Sequence, residues 1–281
     1  MPIRLLFLTL ILTTFSLSGC LPDNRDHSKC APTQTGENEG EGLASMETDR
    51  SEVPIQIYYT IHKNMALAEG DIALGTKEEF KNKAVGVLGR KWKDNIVNFK
   101  INPKLDKKDR VYDAIVEWRK ALGDLVQFVE VENAANYIEF VTADGCWSFI
   151  GMTGGRQEIG LAKNCDRGSV VHEVGHALGL WHEQTRHDRD SFVDIKWCNI
   201  EEKHRHNFMK VGNNSLDFGT YDYKSVMHYP RGAFSTNHHV TLQSKTDQEV
   251  PLTSTNHPSQ VDILAIRCLH SDQSACALLK E

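Results

Sequence analysis

The chain has 281 residues, 40% of them hydrophobic, with 38 acidic and 32 basic residues and a formal net charge of -6. That apolar content over that length supports a packed core in one large domain or two modest ones. The charge lacks the basic footprint that nucleic-acid binding needs, which excludes DNA and RNA as expected partners.

Arg4 precedes an apolar run from Leu5 to Leu17, broken only by Thr and Ser. The run is too short to span a bilayer comfortably and reads as a secretory signal, so residues 1–19 are left out of the fold. "LSGC", Leu17 to Cys20, resembles the lipobox of bacterial lipoproteins. That resemblance implies an exported chain, lipid on Cys20 and attachment to a membrane. Residues 20–53, rich in Gly, Glu, Asp, Asn and Ser, read as a flexible acidic tether with too little apolar surface to order itself. Residues 54–83 form a separate segment that opens on a strand, "IQIYYTI".

The body is expected over 84–272, with a short tail at 273–281. "IVNFKI", Ile96 to Ile101, reads as a strand. In "DKKDRVYDAIVEWRKALG" Val111, Ala114, Ile115, Trp118, Ala121 and Leu122 recur at three and four, which predicts an amphipathic helix capped by Asp106 and ended by Gly123. "LVQFVEV", "YIEFVT" and "QEIGLA" read as further strands, and "IEEKHRHNF" and "SQVDILAIRCL" as short helices. Strands around a helix predict an α+β fold with a mixed sheet, followed by a loop-rich second half. Cys30, Cys146, Cys165, Cys198, Cys268 and Cys276 suit an oxidising compartment, and six cysteines allow fifteen pairings.

The most informative stretch is "HEVGHALGLWHEQTRHDRD", His172 to Asp190. Ser169 is positioned to cap a helix over "VVHEVGHALG", and Gly179 to end it in a left-handed conformation. His172 and His176 then lie one turn apart on one face, where both imidazoles can reach a single ion. The turn at Gly179 brings in His182 as a third nitrogen. Three neutral imidazoles suit catalytic zinc with an open position, and Glu173 can reach a water beside the ion as a general base. The chemistry this predicts is metal-assisted amide hydrolysis of protein or peptide substrates. A structural zinc site would ordinarily involve cysteines, and none lies near this helix in sequence.

This stretch, with "YDYKSVMHY" at Tyr221 to Tyr229, resembles the astacin family of zinc endopeptidases within the metzincins. The resemblance implies a metzincin-like fold: a twisted mixed sheet and long helices in an amino-terminal subdomain, a loop-rich carboxy-terminal subdomain, and an active-site cleft between them. It makes His172, His176 and His182 the ligands of one Zn2+ and Glu173 the base. Met227 becomes the floor of the Met-turn, Tyr229 a mobile ligand that stabilises the oxyanion, and Glu183 the contact of the mature N-terminus. Gln157, Glu158, Ile159, Gly160 and Leu161 become the edge strand that holds an extended substrate. Family members are typically zymogens whose propeptide aspartate ligates zinc. "AEGDIALG" supplies Asp71 for that role, although Ala68 stands where the motif has phenylalanine; Cys30 could instead offer a thiolate. Maturation near Ala84 would free the body from its anchor.

The resemblance also implies a Cys146–Cys165 disulfide. The family's second bridge lacks a partner because Asp124 occupies its position; Cys198, Cys268 and Cys276 are then expected to pair differently or stay free, with Cys198–Cys268 the preferred pair. A monomer is expected. The rival reading is a surface lipoprotein that uses an inactive peptidase fold to bind peptides.

Overall fold

A computed structural model describes residues 25–32, 41–48, 51–78, 86–88, 90–211, 217–251 and 253–280. Cys20 and the expected cleavage point near Ala84 lie outside them.

Among the described residues ten strands form one sheet, four from the segment before Ala84 and six from the body. The segment contributes β1 (Glu41–Thr48), β2 (Ser51–His62), β3 (Met65–Ala68) and β4 (Ile72–Thr76). The body contributes β5 (Gly86–Leu88), which pairs with β1, and β6 (Ile96–Ile101), β7 (Gln127–Glu130), β8 (Tyr137–Thr142), β9 (Cys146–Ser148) and β10 (Arg156–Leu161). They lie in the order β5-β1-β2-β3-β4-β9-β10-β8-β6-β7. In the body the pairings β6–β7, β6–β8 and β8–β10 are parallel, while β9 runs antiparallel to β10. Along β6 the side chains alternate as the sequence pattern requires, with Val97, Phe99 and Ile101 buried.

Helix α1 (Asp109–Leu122) lays Val111, Ala114, Ile115, Trp118 and Leu122 into the core. Its side-chain cap is not Asp106: the helix starts at Asp109 after Lys108, which makes no capping bond. Helix α2 (Arg167–Ala177) packs on α1 and is itself almost wholly buried. The Trp118 indole donates to the Val171 carbonyl at 2.9 Å and the Trp92 indole to the Ala177 carbonyl at 2.8 Å. These bonds hold the middle and the end of the helix that carries His172 and His176. Asp166, not Ser169, caps α2, because its carboxylate accepts the Ser169 N–H at 2.8 Å. Beyond α2 the chain is loop-rich: β11 (Val193–Ile195) pairs with β12 (Leu242–Ser244), and α3 (Gln260–Leu269) and α4 (Gln273–Leu278) close the fold. The "EKHRHNF" stretch is a 3-10 helix rather than an α-helix.

The segment's part of the sheet corrects the tether expected over 20–53, part of which is strand β1. Ala44 and Met46 there are buried against Ile55 and Ile57 of β2, together with Ile72, Ile150 and Val211. A hydrophobic tally over the whole stretch hides this short alternation, which becomes stable once β2 supplies the other side of a hairpin.

Two disulfide expectations meet different outcomes. Cys146 is bonded to Cys165. The expected Cys198–Cys268 pair does not form: Cys198 is bonded to Cys30, and Cys268 to Cys276 across the α3–α4 turn. Cys276 lies eight residues from Cys268 and is brought back to it by two short helices, a local closure that a sequence gap does not reveal.

Candidate metal centre

Three imidazoles and one carboxylate converge. Ligand atoms of Asp71, His172, His176 and His182 all lie within 4.8 Å of one another. His172 and His176 come from successive turns of α2. Gly179, at φ 112°, then reverses the chain, as only glycine does readily, and His182 follows. The His172 and His182 Nε2 atoms stand 3.1 Å apart.

The opposite nitrogens explain why the Nε2 atoms face inward. His172 Nδ1–H donates to the Val226 carbonyl at 2.7 Å and His176 Nδ1–H to the Leu180 carbonyl at 2.8 Å. His182 Nδ1–H donates to a carboxylate oxygen of Glu69 at 2.7 Å. Each ring therefore carries its hydrogen-bonded proton on Nδ1 and turns Nε2 inward, the orientation a metal ligand takes. Asp71 completes the group: its oxygens lie 3.5 Å from His172 Nε2, 3.6 Å from His176 Nε2 and 3.4 Å from His182 Nε2.

The donor set fits a zinc ion. His176 Nε2 and Asp71 Oδ1 are buried with no hydrogen-bond partner, a costly arrangement unless a cation sits between them. Burial pushes His176 down to about 4, so it presents a neutral lone pair. Burial acts the same way on His182, yet the Asp71 and Glu69 carboxylates push it up to about 10. Burial also works against the Asp71 charge, but the three imidazoles hold its carboxyl well below the usual range. The acids thus draw positive charge into this spot, a demand that a divalent cation meets.

Glu173 is buried beside the group, and its Oε2 has no hydrogen-bond partner. Burial, reinforced by the Asp71 charge, raises its carboxyl well above the ordinary range. Beneath the helix Met227 is 1% exposed, and a Cβ added to Gly175 would stand 2.8 Å from its sulfur. The absence of a side chain at Gly175 lets the Met-turn approach α2 this closely. Tyr229 lies against the ring of His182 at 4.7 Å between centroids and donates its hydroxyl to the Glu69 carbonyl. Glu183 is enclosed nearby. Its carboxylate accepts from the Asp222 N–H at 2.7 Å and from Arg186 at 3.3 Å, and burial pushes it up to about 8. His187 points away and pairs with Asp217 at 2.7 Å.

The expected edge strand is elsewhere. Gln157 to Leu161 lie in β10, which β8 pairs along its length and β9 flanks on the other side at Ile159, Gly160 and Leu161, so β10 is an inner strand of the sheet. The body's edge toward the segment is β9, where Ser148 N–H donates to the Asp71 carbonyl at 2.9 Å and Ile72 pairs with Ser148 in parallel; β7 is the opposite edge. The alternation that marked β10 as a strand carries no information about which neighbours fill its two sides.

Three residues that hold the site carried no functional signal in the sequence. Glu69 is an exposed-looking acid in a Glu-Gly-Asp turn, and only its fold position hands it to His182. Gln184 accepts the Tyr229 N–H at 3.0 Å. Asp262 is readable only as the third residue of a helix-start capping box with Ser259, and it forms one. It also accepts Ser225 Oγ at 2.6 Å and Val226 N–H at 2.8 Å, holding the Met-turn whose Val226 carbonyl orients His172.

A histidine triplet on a helix and its following turn, a buried glutamate beside it and a methionine turn beneath define a metallopeptidase-type centre of the metzincin class. The sequence profile of the astacin peptidase family matches residues 85–271, and the chain belongs to that family. It is 34% identical over 195 residues to Zinc metalloproteinase nas-13 of Caenorhabditis elegans, covering 64% of this chain and 41% of that protein. It is 34% identical over 220 residues to Meprin A subunit beta of Mus musculus, covering 76% and 30% respectively. It is 39% identical over 149 residues to High choriolytic enzyme 1 of Oryzias latipes, covering 52% and 55%. The chain thus spans between about a third and just over half of the length of these relatives. The solved structure of that hatching enzyme, a zinc-protease, superposes with a TM-score of 0.58 at 31% identity, covering 65% of this chain and 94% of that one.

Proposed function

We propose that this chain is a zinc-dependent endopeptidase made in a latent form. The observation that carries the reading is the set of three Nε2 atoms, each turned inward by an Nδ1 hydrogen bond and all aimed at one point beside a buried glutamate. His172, His176 and His182 would hold the ion. Zinc bound there would polarise the scissile carbonyl and acidify a water. Glu173 takes a proton from the attacking water and passes it to the leaving nitrogen. The Tyr229 hydroxyl, already directed at a carbonyl oxygen, donates to the oxygen on which negative charge develops. An extended substrate adds to β9, a free edge of the body once β4 has left.

Latency follows from Asp71, whose carboxylate fills the position where a water and a substrate carbonyl would enter. The segment bearing it runs parallel to β9. Export and a lipid anchor on Cys20 are part of the same proposal and rest on the amino-terminal sequence. Glu183 is proposed to receive the mature N-terminus after cleavage.

The test uses the full chain in an Asp71→Ala background, which leaves the metal site unplugged, loaded with zinc and cut between β4 and Trp92. One zinc per chain and hydrolysis of a denatured protein are expected. Glu173→Ala should keep the zinc and lose at least roughly 100-fold in rate. Equal rates for the two proteins would overturn the peptidase reading.

A further inference from the structure

Two covalent paths join the amino-terminal segment to the body. One is the backbone between β4 and Trp92, where maturation would cut. The other is the disulfide between Cys30 and Cys198, which spans 168 positions of sequence and lands in the carboxy-terminal half. Around it the short helix His27–Cys30 packs on the short helix Trp197–Asn199. The Cys198 N–H donates to His27 Nδ1 at 3.3 Å, and Arg25 donates to the Asn199 side chain. The segment is thus docked at two separate places, the metal centre and the Cys198 face.

We propose that the Cys30–Cys198 bridge keeps the inhibitory segment on the body after the backbone is cut, so that full activation requires a thiol reductant as well as a protease. The proposal rests on the latent-peptidase reading. A cut near Ala84 leaves everything from Cys30 to Asp71 on one piece and Cys198 on the other, so the product is a two-chain protein. A segment held in this way meets its own docking site at an effective concentration on the order of 1 mM. If it binds with a dissociation constant of about 1 µM, the plugged form outweighs the open one by roughly 1000 to 1. Its contacts are of a kind to sustain such affinity: Asp71 and Glu69 at the histidines, β4 on β9, and Ile72 packed with Ile150 and Val211.

Release balances as thiol–disulfide exchange. A thiolate of a dithiol reductant attacks one sulfur, the Cys30–Cys198 bond breaks, and a mixed disulfide forms. The second thiol resolves it, leaving Cys30 and Cys198 as thiols and the reductant as its own disulfide. Both cysteines are half-exposed, so a small thiol reaches the bond, as it reaches Cys268 and Cys276, which are exposed to a similar degree. The bridge has a second consequence. Cleavage alone does not part the body from Cys20, which remains on the piece that carries Cys30.

The test compares three zinc-loaded full-length proteins after the same cut: wild type, the double variant Cys30→Ser/Cys198→Ser, and Asp71→Ala. Under non-denaturing conditions without reductant, wild type should show less than about a tenth of the activity of the double variant. A dithiol should raise wild type toward that level. The same dithiol on the double variant corrects for metal stripping and for loss of the other two bridges. Asp71→Ala should be active while still tethered, which shows that the intact bridge does not itself damage the fold. In denaturing mass analysis, cut wild type should stay at full mass until reduced, whereas the cut double variant should separate at once. Two separate pieces from unreduced wild type, or equal activity of cut wild type and the double variant without reductant, would overturn the proposal. Failure of the peptidase reading itself looks different: no hydrolysis by the cut double variant despite a full complement of zinc.

Discussion

Two of the three histidines are oriented by the body and the third by the amino-terminal segment. His172 and His176 donate to main-chain carbonyls of Val226 and Leu180, groups that cannot leave without unfolding the Met-turn or the end of the zinc helix. His182 donates to the side chain of Glu69, which lies 113 positions earlier in the chain. Glu69 takes the left-handed conformation at φ 49°, followed by Gly70 at φ 92°. In the proposed latent form, the difference separates a permanent part of the centre from a removable one. There the segment does more than cover the site: Asp71 adds an oxygen to the three histidine nitrogens, and Glu69 is the outer partner of one histidine.

The largest expected effect tests the permanent part. Asp262 anchors the Met-turn through Ser225 and Val226 while also capping α3. Asp262→Ala strips partners from a buried hydroxyl and two N–H groups, and should destabilise the body by about 3 kcal/mol in denaturant unfolding. A loss below about 0.5 kcal/mol would mean that the Met-turn holds its shape without α3.

A smaller effect is expected from acid. His228 is buried between Tyr221, whose hydroxyl donates to its Nε2 at 2.7 Å, and the Tyr229 carbonyl, which accepts from its Nδ1 at 2.6 Å. Burial pushes it down to about 4 from an ordinary value of 6.5. The unfolded chain therefore binds the proton more readily. The stabilisation is complete above about pH 6.5 and is lost as pH falls toward about 4. Between about pH 7.5 and about pH 5 it amounts to about 2 kcal/mol. Thermal unfolding across that range should show a pH slope smaller in His228→Gln than in wild type by about 2 kcal/mol, because the contributions of His176, His182 and Glu183 are common to both proteins. Equal slopes would locate the acid sensitivity in other groups.

The sequence disclosed the permanent part and little of the removable one, for a physical reason. His172, Glu173 and His176 are fixed by the period of a single helix, and Gly179 with His182 by one turn after it, so a short contiguous stretch carries the geometry. Val97, Phe99 and Trp118 likewise announce their core faces by spacing alone. What failed depends on pairing across long separations. Nothing in "QEIGLA" says that both its flanks are occupied, nothing near Cys198 points to Cys30, and Met46 looks isolated until Ile55 is placed opposite it. Asp71 was legible only through the Gly-Asp pair of a familiar motif, and Glu69, one residue from that pair, carried no signal at all because its function exists only once β3 has been brought to the zinc helix.

Glu69 is therefore where the comparison is tested most finely. If it fixes the tautomer of His182, Glu69→Ala in the uncut chain should weaken zinc binding by roughly tenfold, the low end of what outer partners contribute to a metal site. Competition with a chromogenic chelator measures this without reference to catalysis. The body's own partners for His172 and His176 are unchanged in that variant, so the unfolding stability of the body should stay within about 0.5 kcal/mol of wild type. Cut protein from which the segment has been removed lacks Glu69 altogether, so the substitution can have no effect there. Unchanged affinity in the uncut chain would show that His182 is oriented by the body alone, by its place after Gly179 and its packing on Tyr229, and the plug would then be a cover and nothing more.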